Sequence, residues 1–554
     1  MKRVIVKTCP KTGKQFTVEQ PARSMGILPM SHRAILALSS RARRPWYSWA
    51  GRPCYVLPLL TGLFALLWFL LRVIPKPSRA TYPCQRVAAP LASAFVIWTI
   101  GLFGSTMICR RAKYLVDRSR YVLAALCAIA VVAVMWTTIS ATENNPAAAA
   151  FSPSEPANSP MGVAKGIHPG RVVWVHDADA TSWDGSTGNW WDDKNTDPKA
   201  VDTMVSSALQ GLTGQSSDAQ AWDALFRYFN KTHGFGDAGY QKPEKIAIKI
   251  NMNQERGGNW KPDQGMPSPQ VVYSVVHQLI KVAGVPGSAI TIYDASRDVG
   301  APIVMKFAVS SDSEFQGVKF VVSPQNAKDE RTAAMQNTAH PLQTKAGTAC
   351  FPTCLTEAKY LINLALLRGH TLCGVTLCAK NHFGSTYFEK EGWTPSPLHN
   401  TSSRKQPMGS YNCLVDLNGH QQTGGKTLLY MIDGLCTAKN QTATVIRFAS
   451  FGNDWVSSLF ASQDMVAIDS VGLDFLRAEQ AVNPVMTDVT GNPDNYLHEA
   501  ALANKPPSGT AYDPEGDGTT LESMGVHEHW NNPKDRKYSG NLGTGNGIEL
   551  VQMR

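Results

Sequence analysis

Lys249, His370 and Lys380 are the side chains in this sequence best suited to handle protons and anions. A histidine titrates near neutral pH, and a lysine carries a compact charge whose basicity shifts once it is buried. Asn251, Asn363, Asn381 and Asp294 accompany them as amide donors and a carboxylate for holding a substrate. Asp433, Asp464 and Asp469, with imidazole from His370 or His382, can take a hard divalent cation through oxygen and nitrogen. Plainer readings compete. Asp464 reads equally as a helix N-cap, Lys380 and Asn381 as the residues that set a turn before Gly384, and Asp469 as the partner of a lysine.

These residues need elements to position them. KIAIKINMN (245–253) and AITIYDAS (289–296) are short β-rich runs. Between them SPQVVYSVVHQLIKVAG predicts a helix, with Ser268 as N-cap, Pro269 at the first helical position and Gly284 as the stop. Strand, helix, strand at this spacing predicts a right-handed βαβ unit and hence a parallel sheet. Further strands are expected at 359–366, 427–434 and around 458–462, with a helix from near Asp464 through SVGLDFLRAE. Binding crevices in such sheets open at the carboxyl edge. Lys249, Asn251, Asp294, Asn363, Asp433 and Asp464 all fall at or just past predicted strand ends. The expected fold is α/β, a mostly parallel sheet with flanking helices, preceded by an all-α transmembrane segment of about three helices.

In order, KINMN, IYDAS, KYLINLALLRGHTLCGVTLCAKNHFGS, MIDG and SQDMVAIDSVG resemble the domain of unknown function (DUF) 362 family, over residues 245–479. Asn363, His370, Thr376, Lys380, Asn381 and Gly384 match its pattern. Arg368 departs from it, standing where the family commonly has Lys; arginine keeps the charge but does not serve as a readily deprotonated amine. The resemblance implies no settled activity. Some members resemble iron–sulfur proteins through an appended Cys-x-x-Cys-x-x-Cys run, which this sequence lacks.

Other motifs narrow the field. Cys350, Cys354, Cys373, Cys378, Cys413 and Cys436 include C-x₃-C and C-x₄-C spacings, which suit neither an iron–sulfur cluster nor a zinc ribbon. In an exported domain these six read first as disulfides, with buried thiols and metal ligands as alternatives. His527-Glu528-His529 lacks the helical H-E-x-x-H spacing of zinc proteases, though two His at i and i+2 can ligate metal from a strand. Asp513, Glu515 and Asp517 resemble a cation loop or a solvated turn. Trp183, Trp190 and Trp191 offer either a sugar-stacking platform or packing. No G-x-S-x-G, P-loop, Rossmann or kinase motif is present. Two functions remain: an enzyme acting on a small anionic substrate with a divalent metal, or a non-catalytic cell-envelope module that captures a ligand or metal in the same crevice.

The 554-residue chain carries a formal charge of +10, but the segment up to Lys165 carries +17 and the remainder −7. The basic character therefore belongs to the N-terminal segment, and nucleic acid is not an expected partner. Three uncharged apolar runs, 55–71, 87–109 and 121–139, each suffice to cross a hydrocarbon layer of roughly 30 Å as a helix. Cations precede and separate these runs, yet none follows the third until Lys165, which places the C-terminal part outside. The third run also reads as a signal peptide, with Arg118 and Arg120 before it and small residues at 147–150 for cleavage. The expected layout is a basic cytoplasmic segment at 1–53, three transmembrane helices at 54–140, an Ala/Ser/Pro-rich linker at 141–168 and a periplasmic α/β domain at 169–554. The lipid bilayer is thus an expected partner. Protease added outside intact spheroplasts is expected to digest this domain; digestion only after lysis would reverse the topology.

Overall fold

The computed structural model describes residues 3–8, 15–20, 156–255 and 260–554, and the chain divides into units Met1–Thr138 and Ile139–Arg554. In the first unit, Arg3–Thr8 and Gln15–Gln20 pair antiparallel, with Arg3 opposite Gln20. The three apolar runs and most of the expected linker lie outside the described residues. Among the described residues, no helix is long and apolar enough to cross a membrane.

The second unit is built on a nine-stranded sheet. In chain order its strands are β1 (Arg171–His176), β2 (Ile246–Ile250), β3 (Ile290–Asp294), β4 (Lys319–Val322), β5 (Arg331–Ala333), β6 (Tyr360–Leu366), β7 (Thr427–Gly434), β8 (Ser458–Ser462) and β9 (Glu549–Met553). Their spatial order is β9-β1-β8-β7-β6-β2-β3-β4-β5. Strand β8 is antiparallel to both neighbours, and every other adjacent pair is parallel. The fold is therefore α/β with a largely parallel sheet, as expected. The predicted strands correspond to β2, β3, β6, β7 and β8.

Two expectations shift. Because β8 runs backwards, its final residues lie at the amino edge of the parallel strands, so Asp464 falls at the edge opposite Asp294 and Asp433. The ordered body also begins before residue 169: Met161–Gly162 pairs antiparallel with Val526–His527.

Alternation along each strand sorts side chains onto two faces. Val173, Val175, Ile246, Ile248 and Ile250 meet helices α1 (Pro198–Thr213), α2 (Asp218–Thr232) and α3 (Pro269–His277). Ser268 caps α3 as predicted, its hydroxyl accepting from Val271 N at 3.3 Å. A π turn, Gln278–Val282, extends α3, and Gly284 follows at φ +70°. On the opposite face Val172, Trp174, Ala247 and Tyr293 meet helices α4 (Leu377–Asn381) and α5 (Met465–Val482). The same alternation turns Lys249, set between Ile248 and Ile250, toward this second face. Register places Tyr293, Lys249, Asn363 and Tyr430 side by side on four adjacent strands.

Helix α4 has only five residues and enters through Leu377 at φ +42°, a left-handed conformation that costs a residue bearing a β-carbon. Its exposed amides are answered from α5. Asp469 accepts from Cys378 N at 2.8 Å, Ala379 N at 2.9 Å and the Tyr496 hydroxyl at 2.9 Å. Burial raises the Asp469 carboxyl to about 7 despite these donors. Asp469→Ala leaves three buried donors without an acceptor and is expected to cost at least about 2 kcal/mol in urea unfolding. A loss under 0.5 kcal/mol, the range of ordinary surface substitutions, would rule out the capping role.

Candidate functional site

A cleft of about 200 Å³ opens at the carboxyl edge, between the ends of β2 and β3, the segment after β6, and α4. Of the residues singled out from sequence, Asn251, Asp294, His370, Lys380 and Asn381 line it. Lys249 and Asn363 lie beneath, fully buried, and complete its floor.

The floor is one connected network. Lys249 Nζ donates to Ile250 O at 2.6 Å, Asp294 Oδ2 at 3.2 Å and Asn381 Oδ1 at 3.3 Å. An ammonium has three protons, so no donor remains for a ligand. Burial pushes the Lys249 amine below its ordinary value, while the Asp294 charge opposes that shift. Asp294 also accepts from Met252 N, Ser296 N and the Ser296 hydroxyl. Asn381 Nδ2 contacts Asn363 Oδ1 at 2.8 Å, Lys249 O at 3.1 Å and Leu364 O at 3.2 Å. Asn363 turns its own amide onto Cys378 O at 3.0 Å, tying β6 to α4. Gly384 lets this turn approach the carboxylate, because a β-carbon there would stand 2.4 Å from Asp294 Oδ1.

The walls carry positive charge. Lys380 is only 5% exposed, its ammonium 4.1 Å from the centre of the Phe383 ring, and it makes no hydrogen bond among the described residues. Burial lowers its amine to about 8, with Arg368 and Arg297 adding to the shift. Arg368, buried behind the cleft, donates to Asn251 Oδ1 at 2.6 Å and Gly265 O at 2.9 Å. Burial brings its guanidinium down to about 9. Asp294, the lining carboxylate, is already engaged by Lys249. Arg297 and His399 also line the cleft, as do Gln441 and Thr442. None of these four was singled out from sequence. Arg297, three residues beyond Asp294, was within reach of the strand-end argument; His399 sits in a short 3-10 turn, Ser396–Thr401, with no local signal.

The aspartates proposed for metal do not converge. Asp433 accepts from Ser268 N at 2.7 Å and Leu435 N at 3.1 Å. Asp464 caps α5 through Ala467 N at 2.9 Å and also binds Lys165 N at 2.9 Å and Val526 N at 3.1 Å. Asp469 holds α4 as described. His382 is buried, with Nδ1 3.1 Å from the Ser385 hydroxyl, and burial pushes it down to about 3. Among the described residues, no group of three His, Cys, Asp or Glu side chains is placed to hold a metal ion.

Other sequence features prove architectural. All six cysteines of this unit are free thiols, correcting the disulfide expectation. Trp183 stacks on Trp455, and Trp190, Trp191 and Trp260 contact edge to face; Trp183, Trp190 and Trp191 are buried, so they pack the core and form no platform. His529 pairs with Asp474 at 2.6 Å, His527 with the Ser470 hydroxyl at 2.7 Å. Asp513 accepts amides from Gly516, Asp517 and Gly518, a turn closed on itself.

Every residue of the cleft floor falls within one stretch of chain, from β2 to α5. That stretch has a known counterpart. Residues 246–474 match the family model described as Domain of unknown function (DUF362). The match supports the DUF362 family and carries an uncharacterised function with it. The matched region spans β2 to the middle of α5, and all the cleft residues named here lie inside it. Neither a curated protein nor a solved structure matches the chain.

Lys249→Met leaves the Asp294 carboxylate buried without its cation. Breaking a buried pair in this way typically costs about 3–5 kcal/mol. Chemical unfolding is expected to register a loss of that size; stability within 1 kcal/mol of the parent would show that the pair does not organise the floor.

Proposed function

We propose that the DUF362 region binds a small anion, with Lys380 as its principal contact. The observation that carries this reading is a nearly buried ammonium, without a hydrogen-bond acceptor among the described residues, beside a cleft. Buried charges are normally paired, and a bound anion supplies the missing partner. Arg297 and Asn251 stand on the same walls. The cleft is smaller than the roughly 300–1,000 Å³ of drug-sized sites, which favours a ligand of few atoms.

Capture is better supported than proton transfer by histidine. Catalytic acids and bases work best with pKa values near the operating pH. His370 lies well below its ordinary value, through burial and the charges of Lys380, His399 and Arg368, and His399 lies at about 4. Lys380, at about 8, is the one cleft group suited to donate a proton, which supports catalysis on the bound anion as a second reading. The anchoring proposal stands beside these: the apolar runs at 55–71, 87–109 and 121–139 hold the domain at the outer face of a membrane.

Calorimetric titration of the full chain with inorganic phosphate, propanoate and succinate tests the site. At least one anion is expected to bind, and Lys380→Met to weaken it roughly 10- to 100-fold, the worth of a hydrogen bond to a charged group. Because the anion needs the protonated amine, affinity should hold below pH 8 and fall above it, by up to about tenfold per pH unit. Lys380→Arg should remove the fall near pH 8 while retaining binding. No binding by any of the three or by their hydroxylated analogues, or no effect of Lys380→Met on the anion that binds, would sink the reading.

A further inference from the structure

His370 and His399 lie together in the cleft with ring centroids 5.6 Å apart and planes inclined by 23°. Their remaining hydrogen bonds fix opposite tautomers. His370 Nδ1 receives the backbone N–H groups of Leu372 and Cys373, each at 3.2 Å. That nitrogen is therefore a bare acceptor, and the ring proton sits on Nε2. His399 Nδ1 stands 3.1 Å from the carbonyl oxygen of Pro395. A carbonyl only accepts, so here Nδ1 carries the proton and Nε2 is bare. Neither Nε2 has a hydrogen-bond partner among the described residues. Both rings are neutral at pH 7, since burial and Lys380 hold each below its ordinary value.

The cleft thus offers one imidazole donor and one imidazole acceptor beside Lys380. A carboxylate can answer only the donor, and an ammonium only the acceptor. A hydroxyl answers both. We infer that the anion taken by this cleft carries a hydroxyl group, which accepts from His370 Nε2–H and donates to His399 Nε2 while Lys380 holds the negative charge. The ligand class is a small hydroxylated anion. This inference rests on the anion-binding reading and adds the second recognition element. Sites that hydrogen-bond a substrate hydroxyl discriminate strongly against the analogue lacking it, because their own polar groups are then left unpaired.

The test compares matched pairs by calorimetry on the full chain: lactate against propanoate, malate against succinate, and glycerol 3-phosphate against propyl phosphate. In at least one pair the hydroxylated member is expected to bind tighter by roughly tenfold or more. His399→Asn keeps an N–H for Pro395 and removes the Nε2 acceptor. It should erase that preference, weakening the hydroxylated member roughly tenfold or more relative to its unhydroxylated partner, the effect of a contact that only the hydroxyl makes. Equal binding within every pair, or a preference that survives His399→Asn, overturns the inference and leaves the anion reading standing. Silence from all six compounds rejects the anion reading itself. Long-range ¹H–¹⁵N spectra of the unliganded protein give a second check. They should place the proton on Nε2 of His370 and on Nδ1 of His399, and either opposite tautomer overturns the inference without reference to any ligand.

Discussion

The ammonium of Lys249, sealed inside the sheet and bonded to three acceptors, is the constraint on which the rest of the site depends. A buried charge is tolerated only when its geometry is fully satisfied. Here that demand reaches three parts of the chain at once. It fixes the end of β3 through Asp294, the end of β2 through Ile250 O, and the last residue of α4 through Asn381. The segment from α4 into the following 3-10 turn, His382–Ser385, is short, and this network together with Asp469 holds it in place. What Lys249 gives up is availability: its protons are all committed. The ammonium without a hydrogen-bond acceptor among the described residues lies one layer outward, at Lys380.

That division of labour explains why so many polar groups sit inside one small region. Asp294, Asn363 and Asn381 have most of their hydrogen-bonding capacity turned inward, toward backbone and Lys249. Arg368 spends two of its donors on Asn251 and Gly265 and so orients an amide at the cleft wall. The outer layer, by contrast, leaves capacity open. Low local dielectric makes both layers consequential, since a satisfied network gains from burial and an unsatisfied group loses by it.

Much of this was legible in the sequence. Local signals placed β2, β3, β6, β7, the Ser268 cap and the start of α5, because cap residues, proline at the first helical turn and β-rich runs are read within a few positions. The strand-end argument then found four residues of the cleft and its floor, Lys249, Asn251, Asp294 and Asn363, and the family resemblance pointed to His370, Lys380 and Asn381. The same argument failed for Asp464, because strand direction is a tertiary property: nothing within 458–462 distinguishes an antiparallel strand from a parallel one. Asp433 and Asp469 looked like candidate ligands by residue type, yet they are occupied by backbone amides, most of them from distant segments, and by the Tyr496 hydroxyl. His399 became visible only when folding brought its turn over the sheet, whereas Arg297, three residues beyond the end of β3, was within reach of the strand-end argument. β1 and β9 form a parallel pair joining residues 171–176 with 549–553, a separation no local pattern spans.

The row formed by Tyr293, Lys249, Asn363 and Tyr430 has a consequence for folding itself. A parallel sheet of Val, Ile and Leu strands has many near-equivalent alignments, and a slip of one residue exchanges the two faces of a strand. In β2 such a slip would drive an ammonium into the aliphatic layer beneath α1 and α3, where no acceptor awaits it, while exposing Ile248 to Asp294. Misaligned pairings are therefore penalised by electrostatics as well as by packing. The polar row acts as a key that lets only one alignment of the central strands close.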